Sequence, residues 1–216
     1  MILPFQTGEQ VEAAIPRVIA HLRAGRLIGY PTETVYGVGS LATDAGLDAL
    51  ARLKGRPPRK PFLLLISSRL MAERANLHFS PAAKAMADAF WPGPLTLVLP
   101  GGEGKLPSRL RGAEGGVAVR HTSHLGMARL VEALGEPVTS TSANRPGGPP
   151  APGAAMIGEL FPAAVADGSL LILDGGVLGN VPPSTLIDCT TSTPTLIREG
   201  AIPRGELRRA VGRFAP

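Results

Sequence analysis

Five polar clusters interrupt an otherwise apolar chain, and each is built from residue types that hold anions. The first is Tyr30-Pro31-Thr32-Glu33-Thr34-Val35-Tyr36-Gly37-Val38-Gly39-Ser40. It is apolar at its edges and polar in its middle, unlike a buried strand. Gly37 and Gly39 remove side chains where a ligand or another backbone comes close; an edge strand followed by a turn accounts for the same residues. The second cluster is Lys54-Gly55-Arg56, where a helical pattern runs into a loop. Lys54 either complements the helix dipole or reaches a ligand, while Pro57 and Pro58 fix the direction of Arg56. The third is Arg120, ending an apolar strand. In the fourth, Thr139 to Asn144, the hydroxyls of Ser140 and Ser142 share one face of an extended segment. With Asn144 they suit phosphate oxygens and a ribose. The fifth joins Ser184 to Asp188 with Arg198-Glu199-Gly200. Together the clusters describe an anion-lined cleft at the mouth of a sheet.

The familiar alternatives are missing. No Gly-x-x-x-x-Gly-Lys-Ser/Thr loop, no Gly-x-Gly-x-x-Gly and no Gly-x-Ser-x-Gly elbow occurs. His121 and His124 stand three apart without a third ligand nearby, so no metal site is assigned. Cys189 has no partner base and reads as a structural thiol. The expected chemistry is binding and charge neutralisation, without a covalent intermediate.

The elements that must position these clusters alternate along 216 residues. Thr7 and Gln10 have capping-box spacing ahead of a helical stripe from Val11 to Leu22. Pro16 inside that stripe predicts a kink or a later start. Strands are expected at Leu27–Tyr30, 62–66, 95–99, 116–120, 137–141, 170–173, 184–188 and 195–198. Helices are expected from Asp44 to Gly55, 68–75, 81–90, 123–134, 154–161 and 203–214. Gly101 to Gly116 reads as a flexible surface loop. No linker or repeat divides the chain, which predicts one α/β domain over 1–216 with a mixed sheet.

Composition narrows the partners. The net charge is +5, with four lysines among 22 basic residues and only 4% aromatics. Scattered arginines favour a small anion over a long polyanion read by stacking aromatics. The 44% hydrophobic content supplies a core, no apolar run reaches membrane-spanning length, and residues 1–9 show no signal-peptide pattern, so none is expected. One cysteine excludes an internal disulfide. A cytoplasmic protein that does not enter a membrane is expected.

Tyr30 to Gly39, Lys54-Gly55-Arg56, Trp91-Pro92-Gly93-Pro94-Leu95-Thr96, Val119-Arg120, Thr141-Ser142-Ala143-Asn144, Ser184 to Asp188 and Leu196 to Gly200 occur in the order and spacing of a known family. The chain resembles the YrdC-like L-threonylcarbamoyladenylate synthases, in their short, single-domain form. The resemblance implies a twisted sheet of parallel and antiparallel strands, flanked by helices, with a large basic concave cavity. It implies a reaction: ATP, L-threonine and bicarbonate give L-threonylcarbamoyladenylate and pyrophosphate, with Mg2+ on the triphosphate. It further implies a downstream threonylcarbamoyl-transferase complex that modifies adenosine 37 of tRNA, and weak RNA binding. Carried over, Arg56 and Lys60 hold ATP phosphates with help from Lys54, and Lys54 and Arg56 carry the catalytic role. Ser142 and Asn144 contact the nucleotide, and Arg198 faces it from the other wall. Thr34, Ser140 and Ser184 bind threonine, and Arg120 pairs with its carboxylate in a fork. Leu65 stands where many relatives have histidine, and Pro146 where serine is common. Glu33 supports an arginine across the cavity or helps place magnesium. A double-stranded RNA-binding module and a paralogue without synthase activity are the competing functions.

Overall fold

The computed structural model describes residues 1–55, 61–112 and 115–211. Its strands are β1 (Ile2–Pro4), β2 (Leu27–Tyr30), β3 (Gly37–Gly39), β4 (Leu63–Ile66), β5 (Leu95–Leu99), β6 (Val117–His121), β7 (Val138–Ser142), β8 (Leu170–Asp174), β9 (Thr185–Asp188) and β10 (Thr195–Arg198). The helices are α1 (Gly8–Arg23), α2 (Asp44–Lys54), α3 (Arg69–Arg74), α4 (Pro81–Phe90), α5 (Leu125–Leu134), α6 (Ala154–Leu160), α7 (Pro162–Ala166) and α8 (Arg204–Val211). The strands form one mixed sheet in the order β1-β8-β2-β3-β7-β4-β6-β5-β9-β10. This is the α/β class expected from the sequence.

Local signals set the helix ends. Thr7 and Gln10 form a reciprocal capping box, so α1 starts at Gly8 and runs through Pro16 rather than beginning later. Thr43, not Asp44, caps α2, and Gly55 closes it in the left-handed region at φ 55°. Ser80 caps α4 ahead of Pro81 at its first turn.

Three expectations are corrected. The stretch from Tyr30 to Ser40 is not one strand: β2 ends at Tyr30, β3 begins at Gly37, and the two pair antiparallel. Both lie inside the sheet, between β8 and β7, so the edge-strand alternative fails. The described part of the 101–116 loop is not purely superficial, because Leu110, in a 3-10 turn, is fully buried. Short elements at β1, β3 and α7 lacked a periodic signal long enough to find.

Strand alternation divides the side chains. On one face Leu95, Leu97, Leu99, Val117, Val119, Leu64, Ile66, Leu170, Ile172 and Ile187 join a single apolar core. On the other face Ile28, Tyr30, Leu171 and Leu173 pack with Val11, Val18, Met127 and Leu130 of α1 and α5. The remaining half of that second face, across β7, β4, β6, β5 and β9, carries Ser142, Ser140, Leu63, Arg120, Ala118, Val98, Thr96, Leu186 and Asp188 around an open cavity. Among the described residues no helix is long and apolar enough to cross a membrane.

The joint between the two halves is close. A Cβ at Gly39 would sit 1.8 Å from the carbonyl oxygen of Thr139. Thr139 Oγ1 also donates to the Ser40 carbonyl (3.0 Å) and accepts from Ser40 N (2.8 Å). Gly39→Ala is expected to cost about 3 kcal/mol through overpacking, lowering Tm by roughly 6–12 °C. Gly158→Ala is expected to shift Tm the other way. Gly158 lies within α6 with nothing within 4 Å of its added Cβ, and alanine there stabilises by about 0.5–1 kcal/mol. Thermal unfolding of the two variants side by side checks both signs.

Candidate active site

The open half-face encloses a cavity of about 550 Å³. Register builds its floor row by row. Gly37 faces Ser142, Leu63 faces Ser140, Leu65 faces Arg120, Val98 faces both Ala118 and Asp188, and Thr96 faces Leu186. Gly37 leaves room that a side chain would close, since its Cβ would meet the Tyr30 ring at 2.9 Å and Ser140 Oγ at 3.3 Å. Leu65 is buried in the core cluster beneath α1 and α5.

The segment between β2 and β3 forms the first wall. Thr32 Oγ1 donates to the Val35 carbonyl at 2.6 Å and accepts from Thr34 N and Val35 N, both at 3.2 Å. This side-chain turn fixes the segment and aims Glu33 and Thr34 at β6. Arg120, 4% exposed at the end of β6, places Nη2 2.8 Å from Glu33 Oε1 and donates from it to Thr34 Oγ1 at 3.0 Å. The Glu33 carboxylate also accepts from the Thr122 hydroxyl and from Ser123 N (3.2 Å). Burial alone would raise the pKa of Glu33. The charge of Arg120 and the hydrogen bonds from Thr122 and Arg120 outweigh that and hold the carboxyl below its ordinary value. The pair's stabilisation is therefore complete above the ordinary glutamate range and is lost as pH falls through the lowered value.

The second wall is the loop after β7. Lys54, 7% exposed, donates to the Ser142 carbonyl at 2.8 Å, to Asn144 Oδ1 at 2.6 Å and to the Asn144 carbonyl. Ser142 Oγ donates to the same Oδ1 (2.8 Å), and Asn144 Nδ2 donates to the Gly148 carbonyl (2.6 Å). Lys54 thus fastens the loop that carries Ser142.

The third wall is β9 and β10. Ser184 and Thr96 pair their hydroxyls at 2.8 Å, both buried. Arg198 donates to the Ser184 carbonyl at 2.8 Å. Its direction comes from an irregularity: Leu196 pairs with Ile187, but Arg198 pairs with Leu186. In a regular antiparallel ladder Arg198 would share a face with Leu196. The one-residue bulge turns it to the face of Leu186, which lines the cavity. Burial, and then the charge of Arg120, lower the pKa of Arg198. Two guanidinium groups sharing one cavity favour an anion between them.

Arg120, Ser140, Ser142, Ser184 and Arg198 all line the cavity. Thr34 lies behind Arg120, to which it is bonded, and Lys54 and Asn144 bind each other beside Ser142. Arg56 and Lys60 lie outside the described residues. Sequence reasoning placed Thr96 and Asp188 in its motifs but gave neither a role at the site, although alternation against Leu95, Leu97 and Ile187 would have turned both to the cavity. His124 caps α5, its Nδ1 accepting from Met127 N at 3.3 Å, and its ring stacks on Phe5.

A family model for Sua5, YciO and YrdC, described as telomere recombination, matches residues 20–200. The threonylcarbamoyl-AMP synthase of Pyrococcus abyssi is 35% identical over 214 residues, 98% of this chain and 62% of that protein. The chain therefore spans less than two thirds of that relative's length. The protein of the same name from Thiobacillus denitrificans is 39% identical over 186 residues, 86% of this chain and 96% of that protein. A crystal structure of P. abyssi Sua5 complexed with L-threonine superposes with a TM-score of 0.88 and 32% identity, covering 100% of this chain and 62% of that one.

Two expectations follow from the geometry. Lys54→Met strands buried oxygens of the 142–144 loop, so it should cost about 2–4 kcal/mol, or roughly 5–15 °C in Tm. An unchanged Tm with lost nucleotide binding would instead put Lys54 on the ligand. Cys189 is 1% exposed, and burial, then the charge of Asp188, push its thiol up to about 12. Native protein at about pH 8 should resist iodoacetamide, while denatured protein should label fully; mass spectrometry reads the difference.

Proposed function

Because the chain belongs to the Sua5/YciO/YrdC family, we propose that it is an L-threonylcarbamoyladenylate synthase. The observation that carries this is the cavity in which Arg120 and Arg198 share space with the hydroxyls of Ser140, Ser142, Ser184 and Thr96. The relatives named threonylcarbamoyl-AMP synthase and the threonine-complexed Sua5 structure support the same chemistry.

In this mechanism the threonine amine takes up carbon dioxide, derived from bicarbonate, and loses a proton to become a carbamate. A carbamate oxygen attacks the α-phosphorus of ATP. The bond to the bridging oxygen breaks and pyrophosphate leaves. An anion attacks a polyanion, so the site must neutralise charge and exclude water. Arg198, Arg56 and Lys60 serve the phosphates, and Ser142 and Asn144 the nucleoside. Lys54 contributes by holding that loop. Arg120 receives the threonine carboxylate, with Ser140 and Ser184 at the amino acid and Thr34 supporting the arginine. Holding carbamate and phosphate in line supplies much of the acceleration, with about 7–11 kcal/mol available from orientation alone.

Magnesium fits as a passenger of the triphosphate. Asp188 is a carboxylate on the lining, and magnesium sites of this kind use one or two carboxylates plus substrate phosphates. Bound there, the ion would neutralise the departing pyrophosphate. The oxygens of Glu33 are taken by Arg120, Thr122 and Ser123, which favours the arginine-supporting role over magnesium. The product, a reactive mixed anhydride, passes to a transferase complex that acts on tRNA.

Purified protein supplied with ATP, L-threonine and bicarbonate should release pyrophosphate only when all three are present. Release indifferent to threonine would overturn the assignment. Arg198→Ala and Arg56→Ala should each raise the KM for ATP by about tenfold or more with circular dichroism unchanged. Steady-state kinetics with a coupled pyrophosphate assay decides it.

A further inference from the structure

Arg120 is held in an unusual way for a residue that must receive a ligand. A guanidinium offers two bidentate edges, Nε with Nη2 and Nη1 with Nη2. Both edges share Nη2, which donates to Thr34 Oγ1 and stands 2.8 Å from Glu33 Oε1 in an ion pair. Nε is buried without a partner. A buried donor left unmatched is costly, and the cost is recovered when an acceptor arrives. The group that fixes this arrangement is Glu33, whose side chain is 18% exposed. Glu33 is itself oriented from the far side by Thr122, which is fully buried, and by Ser123 N at the entry to α5. Thr122 Oγ1 in turn accepts from His124 N at 3.2 Å. The chain of bonds runs from a helix start, through a carboxylate, to the guanidinium on the cavity floor.

We propose that Glu33 is a positioning residue for the substrate carboxylate. By pairing with Nη2 it fixes the plane of Arg120 and leaves Nε, the buried donor without a partner, for the carboxylate of threonine. The inference rests on the assignment of threonine to this cavity. The fork expected from sequence becomes a contact led by Nε.

Charge and position make opposite demands, and this separates them. A mere counter-charge to Arg120 would weaken anion binding, so removing it would tighten threonine. A positioning group must have the right length as well as the right charge. Glu33→Asp keeps the charge but is one methylene shorter, and so cannot reach Arg120 and Thr122 together. Thr122→Val leaves Arg120 and Glu33 in place and removes the bond that orients the carboxylate, together with the acceptor for His124 N.

Isothermal titration calorimetry of L-threonine and L-threoninamide, which lacks the carboxylate, provides the readout, with ATP binding as a control. In the unsubstituted protein threonine should bind at least about tenfold tighter than threoninamide. Glu33→Asp should reduce that ratio to below about threefold, and Thr122→Val should reduce it in the same direction. ATP affinity should stay within about twofold in both. Full discrimination retained in both variants overturns the positioning role alone, as does tighter threonine binding in Glu33→Gln. If the unsubstituted protein shows no preference for threonine over the amide, the assignment of threonine to this cavity fails and the positioning role with it. Should Glu33→Asp fail to fold, Thr122→Val carries the test on its own.

Discussion

A guanidinium at the floor of a sheet is the constraint around which this molecule is arranged. Arg120 is 4% exposed, and a buried charge without partners is costly. Its neutralisation therefore dictates where other parts of the chain must go. Glu33 and Thr34 reach it from the segment between β2 and β3, which Thr32 locks into a turn. That segment can approach because β3 begins with a glycine, which leaves space for the Tyr30 ring, and ends with another that lies against Thr139. Thr122 and Ser123 then grip Glu33 at the start of α5. One charge thus sets the conformation of segments about ninety residues apart in sequence, as the spans of these hydrogen bonds record.

The second organising fact is the division of one sheet face. Near β8 and β2 it is covered by α1 and α5 and is apolar. Toward β9 it is left uncovered, and there hydroxyls and charges stand among Leu63, Val98 and Leu186. The opposite face is apolar across nearly the whole sheet. The core and the cavity thus occupy different surfaces of the same strands. A substitution at Leu97 acts on the core and one at Thr96 acts on the cavity, although the two are neighbours in sequence.

Much of this was legible from residue order. Long helices carried caps and stops that physical rules identify, as at Thr7, Ser80 and Gly55. The residues that line the cavity lay in clusters rich in hydroxyls and arginines, and five of the expected site residues meet there. What escaped had short-range or long-range causes that periodicity does not carry. β3 is three residues with two glycines, so it has no alternation to read. The link from Glu33 to Arg120 depends on strand order. The loop contacts of Lys54 were not legible because a lysine ending a helix has the same local pattern whether it faces solvent, a phosphate or a neighbouring loop. The bulge before Arg198 is invisible in sequence, since Thr195 to Arg198 reads as an ordinary strand.

That bulge also matters for the behaviour of many molecules together. β10 is one of the two outermost strands, and Ile197 on it is 54% exposed. A straight, apolar outer strand offers unpaired backbone groups to the same strand of another molecule, the usual start of sheet-to-sheet aggregation. The irregular register at Leu196 and Arg198 disrupts that template and ends it with a charge. The distortion that turns an arginine toward the cavity is therefore also one that works against edge-to-edge strand pairing.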